Sequence, residues 1–207
     1  VGDAAPAIPT KEVKKMAETP SQTALLARLR AVGMELFRRE GLRFTMQEAA
    51  RAIHISKKTI YAVYPSKEAL LLDMVDDAFA QIHARKQAIL DGPGTLTDKL
   101  RAVIIALPEE YTALDLQQMD LLDEKYPRVA ARVRQHLETG WEPTLALLQQ
   151  AMEQGVIRTV SLPVLQRMIS ASIESFLADR TLEQQGIPYA RALDEMMGIL
   201  LDGLLIR

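Results

Sequence analysis

Apolar positions recur every three or four residues through almost the whole chain and nowhere alternate over the length of a strand. Leu25, Leu29, Val32 and Leu36 form one such stripe and predict a helix over about 21–40, ended by Gly41. The elements then shorten. Met46, Ala49, Ala50 and Ile53 predict a brief helix opened by the capping box Thr45 and Glu48. After a break at His54 and Ile55, Ser56 caps a second brief helix, Lys57 to Tyr64, which Pro65 stops. Ser66 opens a long helix to about Leu90, with Leu71, Val75, Ala78 and Ile82 in period. Asp91 to Gly94 is the clearest loop. Further helices are expected over about 96–107, from Pro108 to Glu124, from Pro127 to about Gln154, from Ser161 and Pro163 to about Glu183, and from Pro188 to about Leu205. The fold class is all-α: an N-terminal three-helix, helix-turn-helix domain over 21–68, and a larger helical domain over 69–207. Residues 1–20, with Pro6, Pro9 and Pro20, predict a flexible arm.

Two short helices joined by a tight turn, the second of them basic, suit insertion into a DNA major groove. At about 100° per residue, Ile60 and Tyr64 of the second helix face inward. Lys58 and Ala62 lie opposite, flanked by Thr59 and Tyr61. That outward face offers a cation, a hydroxyl, a methyl and a phenol. A Lys donates to guanine O6 and N7, and small methyls touch the thymine methyl. Lys57 and Lys67 sit at helix N-termini, where the backbone already favours phosphate. Short capped helices with solvated lysines occur in any all-helical protein, so the pattern alone leaves both readings open.

The string itself says more. Phe37, Gly41, Thr45, Ala49-Ala50, Ile55-Ser56, Thr59-Ile60-Tyr61 and Ser66-Lys67-Glu68-Ala69-Leu70 resemble the N-terminal domain of TetR-family transcriptional regulators, in register over residues 25–72. Lys125-Tyr126-Pro127 and Gly155-Val156-Ile157-Arg158 are similar to parts of that family's variable C-terminal domain. The resemblance implies base contacts from residues 57–62 and phosphate contacts from Tyr61 and Lys67. It also implies a backbone contact from Thr45 and, with Ser56 at the head of the reading helix, a DNA-binding set of Thr45, Ser56, Lys57, Lys58, Thr59, Tyr61, Ala62 and Lys67. Three positions depart from the family pattern. His54 stands where Gly is usual, and costs about 1–2 kcal/mol if the turn needs a positive φ. Tyr64 replaces Phe, a mild change if its hydroxyl reaches solvent. Val63 replaces a polar residue that often touches phosphate.

The overall charge of the 207 residues is −2, but it is unevenly spread. Residues 1–70 hold 12 Lys and Arg against 7 Asp and Glu, a net +5; residues 71–207 hold 13 against 20, a net −7. A basic head on an acidic body is the footprint of a DNA-binding domain joined to one that does not bind DNA. Lys11, Lys14 and Lys15 extend the basic region into the arm, where the commoner reading is a solvated tail.

The last two helices are strongly apolar: Val164, Leu165, Met168, Ile169, Ile173 and Phe176 make a broad stripe on one, and Met196, Met197, Ile199, Leu200, Leu201 and Leu204 wrap most of the other. Such helices are buried on more than one side. The family resemblance implies a homodimer through about 162–183 and 188–206, and a short reading helix independently asks for a twofold partner. It also implies a small-molecule effector within 75–180, for which Tyr111, Met119, His136 and Trp141 are candidates, core packing being the simpler reading of each. The expected function is a cytoplasmic repressor that binds a palindromic operator on double-stranded DNA and is released by its effector. A ligand-independent regulator and an all-helical protein-binding adaptor remain as alternatives. No catalytic motif appears: His54, His83 and His136 are dispersed, and no HExxH or phosphate loop is present. No cofactor or metal is expected, the absence of Cys removes thiolate ligands and disulfides, and no run of about eighteen apolar residues suggests a membrane span.

Overall fold

Local capping chemistry sets out the first quarter of the computed structural model, which describes residues 20–104, 106, 119–178 and 181–205. Helix α1 (Pro20–Glu40) runs into a 3-10 turn, Gly41–Arg43, and then α2 (Met46–Ala52) and α3 (Lys57–Val63). The Thr45 hydroxyl accepts from Glu48 N–H at 3.2 Å while the Thr45 N–H donates to the Glu48 carboxylate at 2.7 Å. This reciprocal box stabilises the start of α2 by about 1 kcal/mol. Ser56 accepts from Thr59 N–H at 3.0 Å and Ser66 from Ala69 N–H at 3.1 Å, starting α3 and the 25-residue α4 (Lys67–Asp91). His54 in the α2–α3 turn has a φ of 59°, so the left-handed conformation that favours Gly is held by His.

The remaining helices are α5 (Leu96–Ile104), α6 (Met119–Lys125), α7 (Pro127–Glu138), α8 (Glu142–Glu153), α9 (Leu162–Ala178), the single turn α10 (Thr181–Gln184) and α11 (Tyr189–Leu204). The expectation of one helix from Pro127 to about Gln154 is corrected: it breaks at Gly140, whose φ is 77°. Two causes act together. Pro143 stands in the first turn of α8, where its missing N–H costs nothing. A Cβ at position 140 would lie 2.2 Å from the His83 ring, so Gly lets α4 and the α7–α8 turn close on each other.

Two apolar cores result. The first joins α1 to α4 around Leu29, Phe37, Phe44, Ile60 and Leu70, and also takes in Leu122, Val129 and Ala130 from α6 and α7. The second gathers α5, α8, α9 and α11 around Leu100, Leu148, Ile157, Ile169 and Met197. Helix α4 packs on α1 at one end and on α5 and α7 along the rest of its length. No strand is present among the described residues; a lone antiparallel bridge joins Ile157 to Leu205.

The His54 conformation makes the first prediction. His54 is exposed, so replacing it loses no packing. His54→Gly is expected to raise the unfolding free energy by about 1 kcal/mol, the relief at positive φ being partly offset by glycine's extra unfolded-state entropy. Urea unfolding measures this, and a less stable variant contradicts the strained-turn reading.

Candidate nucleic-acid interface and effector cavity

Helix α3 buries Ile60 completely and turns Lys57, Lys58, Tyr61 and Ala62 to solvent, with Thr59 half-buried. Tyr61 is among the few large apolar side chains left exposed, at 42%. The Lys57 ammonium lies 5.9 Å from the Tyr61 ring centroid, and among the described residues neither Lys57 nor Lys58 has a carboxylate partner. The face therefore combines two free cations, an aromatic edge and a methyl, which is the chemistry of groove and phosphate contact.

Thr45, Ser56 and Lys67 sit differently. The Thr45 hydroxyl donates to Glu48 Oε2 at 2.8 Å, and the Ser56 and Thr59 hydroxyls share a 2.8 Å hydrogen bond. Both caps are thus engaged within their own helices. The Lys67 ammonium turns inward, donating to the carbonyls of Leu42 at 2.7 Å and Phe44 at 2.5 Å and resting 4.1 Å over the Phe44 ring. Burial lowers its pKa from the ordinary lysine value. In this structure it ties α4 to the turn after α1. Tyr64 also differs from expectation. It is 5% exposed, and its hydroxyl donates to Asp73 instead of reaching solvent. Asp73 accepts from Arg30 at 3.1 Å, and Arg30 reaches Asp77 at 3.0 Å, so one network joins α1, the end of α3 and α4.

A cavity of about 170 Å³ lies between α1, α4, α7, α9 and α11. Met34 and Phe37 of α1 and Leu71, Met74 and Ala78 of α4 wall one end, and these same side chains belong to the first core. His83, Lys86, Thr139, Trp141 and Tyr189 supply polar groups elsewhere in the lining. Of the effector candidates, His136 and Trp141 line the cavity. His136 Nε2 bonds Asp76 Oδ1 at 2.8 Å and its ring stacks on Phe79, with centroids 4.4 Å apart. The Trp141 indole donates to Leu137 O at 3.2 Å. Tyr111 and the Met119 side chain lie outside the described residues, as do Lys11, Lys14 and Lys15.

Lys86, His83 and Tyr189 escaped the sequence reading. A signal for Lys86 was there: it follows Phe79 by seven residues and Ile82 by four, and precedes Leu90 by four, so it falls on the apolar stripe of α4. Burial alone lowers its pKa, and burial raises that of Tyr189.

Residues 29–74 match the family model described as bacterial regulatory proteins, tetR family, from the middle of α1 to the first turns of α4. The HTH-type transcriptional regulator YvaF of Bacillus subtilis (strain 168) is 26% identical over 181 residues, 86% of this chain and 94% of that protein. The N-terminal domain is that of the TetR family. The chain is accordingly a TetR-like, DNA-binding transcription regulator with an all-α fold. Among solved structures, Thermus thermophilus FadR, a TetR-family repressor in complex with lauroyl-CoA, is 27% identical with a TM-score of 0.56, over 88% of this chain and 96% of that one. A transcriptional regulator from Saccharomonospora viridis in complex with choline is 16% identical and shares the fold, with a TM-score of 0.75 over 90% of this chain and 100% of that one. No helix among the described residues of this TetR-like chain is long and apolar enough to cross a membrane.

The cavity gives a prediction in pH. Burial, reinforced by Lys86 and His136, holds the His83 imidazole below its ordinary value of 6.5, while Glu142 pulls weakly the other way. The unfolded chain then takes up this proton at a higher pH than the folded one. Stability is expected to fall as pH drops below about 6.5, and His83→Gln to flatten that dependence. Thermal melts of both proteins across mildly acidic to neutral pH check it; an unchanged slope in the variant contradicts it.

Proposed function

We propose that this TetR-like regulator is a ligand-released repressor. A dimer binds a near-palindromic operator through Lys57, Lys58, Thr59, Tyr61 and Ala62, with half-sites about one helical turn, roughly 34 Å, or a multiple apart. Thr45, Ser56 and Lys67 act chiefly by holding the helix pair in place. Residues 21–68 carry DNA recognition, 69–207 carry effector binding and dimerisation, and residues 1–20 are an arm. The observation behind the ligand response is that Met34, Phe37, Leu71, Met74 and Ala78 serve both the cavity wall and the core under the reading helix. A molecule in the cavity touches side chains that belong to the same core as Ile60 of α3. The acyl-CoA and choline complexes of similar proteins support reading the cavity as an effector site. Release requires the ligand to bind the two conformations unequally, with a coupling of about 1–3 kcal/mol being typical.

The dimer reading rests on the outer faces of α9 and α11. Val164 and Met168 are 59% and 51% exposed and Ile199 is 74% exposed, while Leu165, Ile169, Met197 and Leu201 are buried against the second core. An apolar face left outside a satisfied core is what a second copy would cover.

Two experiments test this. Selection from a random duplex library should recover a near-palindrome, against which Lys58→Ala costs about 1–3 kcal/mol at particular base pairs, whereas Tyr61→Ala weakens all sequences alike. Equal loss across sequences for Lys58→Ala would move that residue to a phosphate role, and recovery of no duplex would sink the operator reading. Separately, Ile199→Glu is expected to give folded monomers in sedimentation, because the side chain lies outside the chain's own core. A folded dimer of normal strength rules this face out.

A further inference from the structure

We infer that the cavity takes a monocarboxylate with an unbranched apolar tail, its carboxylate on Lys86 and its tail directed at Met34 and Phe37. This rests on the proposed effector role of the cavity and adds the chemistry of its occupant.

Lys86 carries the argument. It lines the cavity, and among the described residues it has no carboxylate within ion-pair distance; its recorded neighbour is the Trp141 ring, 5.8 Å from the ammonium. An ammonium withdrawn from water without a counter-charge is costly, and a ligand that brings the counter-charge recovers that cost. Burial correspondingly pulls its proton affinity down. Its helix position is on the apolar stripe of α4 and the side chain is half-buried, so the charge faces the cavity rather than a solvated face. His83 stands in the same lining as a neutral donor. Glu174 also lines the cavity, but on the exposed side of α9 and unpaired with Lys86. A cationic ligand would place like charge against Lys86, which argues against that class.

The shape of the lining gives the tail. Along α4 the lining runs from Leu71 to Lys86, about 22 Å at 1.5 Å per residue. At the end away from Lys86 the wall is apolar: Met34, Phe37, Leu71, Met74, Leu122 and Val129. One charged end and one long apolar end match an extended chain better than a compact polar molecule. An occupant so oriented presses its tail on the α1 side chains.

Trp141 is the single Trp of the chain and lines the cavity, so its fluorescence reports occupancy directly. Titrations use decanoate, 1-decanol, decylamine and decanoyl-CoA against the full chain and against Lys86→Met, whose fold is checked by its melting curve. Decanoate is expected to bind the wild type, and Lys86→Met to weaken it roughly tenfold or more while leaving 1-decanol within about twofold. The variant without ligand is expected to melt no lower than the wild type, since it loses no ion pair and a methionine also packs against the Trp141 ring. Equal binding of acid and alcohol, or indifference of decanoate to Lys86→Met, overturns the carboxylate assignment and leaves the effector cavity standing. Tighter binding of decanoyl-CoA than of decanoate assigns the site to the thioester instead, and preference for decylamine reverses the charge. No response to any of the four overturns the effector reading as well.

Discussion

A Cβ on Gly33 would lie 2.6 Å from the Met74 sulfur in its present rotamer, and one turn earlier Arg30 is caught between Asp73 and Asp77. This crossing of α1 and α4 is the constraint on which the rest of the molecule depends. It brings the two helices close enough for Leu70, Leu71 and Met74 to share a core with Leu29 and Phe37. Tyr64 then draws the end of α3 to the same carboxylate that holds Arg30. The partly buried network contributes more to position than to stability, because ion pairs with this much exposure add at most about 1 kcal/mol each. What it fixes is the angle at which α3 meets solvent.

The same helix continues past that crossing as the wall of the cavity. Close packing makes such a shared wall discrete rather than elastic: side chains that serve both a core and a cavity move between arrangements, not by small gradual amounts. Met34, Phe37 and Met74 are the physical link in the proposed function. Two of them are methionines, whose flexible thioethers repack at low cost.

What was legible in the sequence was local. The capping box at Thr45 and Glu48, the caps at Ser56 and Ser66, the inward face of Ile60 and the outward face of Lys58 and Ala62 follow from chemistry within four residues. The positive φ at His54 was legible as a condition on the turn. The long-range partners were not. Nothing local shows that Lys67 turns to carbonyls more than twenty residues away, or that the Tyr64 hydroxyl is claimed by Asp73. The break at Gly140 was written in Gly140 and Pro143, yet the apolar period runs across it, and only the contact with His83 decides it. Lys86 was visible as a charge on an apolar stripe, but long helices carry many lysines, and only the cavity separates this one from a solvated face.

The proposed sharing of one wall between cavity and reading helix has a direct test that needs no ligand. Val133 lines the cavity from α7 and belongs to neither apolar core. Val133→Phe partly fills the space as a permanent occupant. Fluorescence anisotropy with a library-selected duplex, at several salt concentrations, compares it with the wild type, folding and dimer state being verified alongside. The shared wall predicts weaker duplex binding with an unchanged salt slope, because the phosphate contacts stay the same in number while the half-sites no longer fit. Wild-type affinity in a folded, filled variant would show that the cavity and the reading helix are uncoupled.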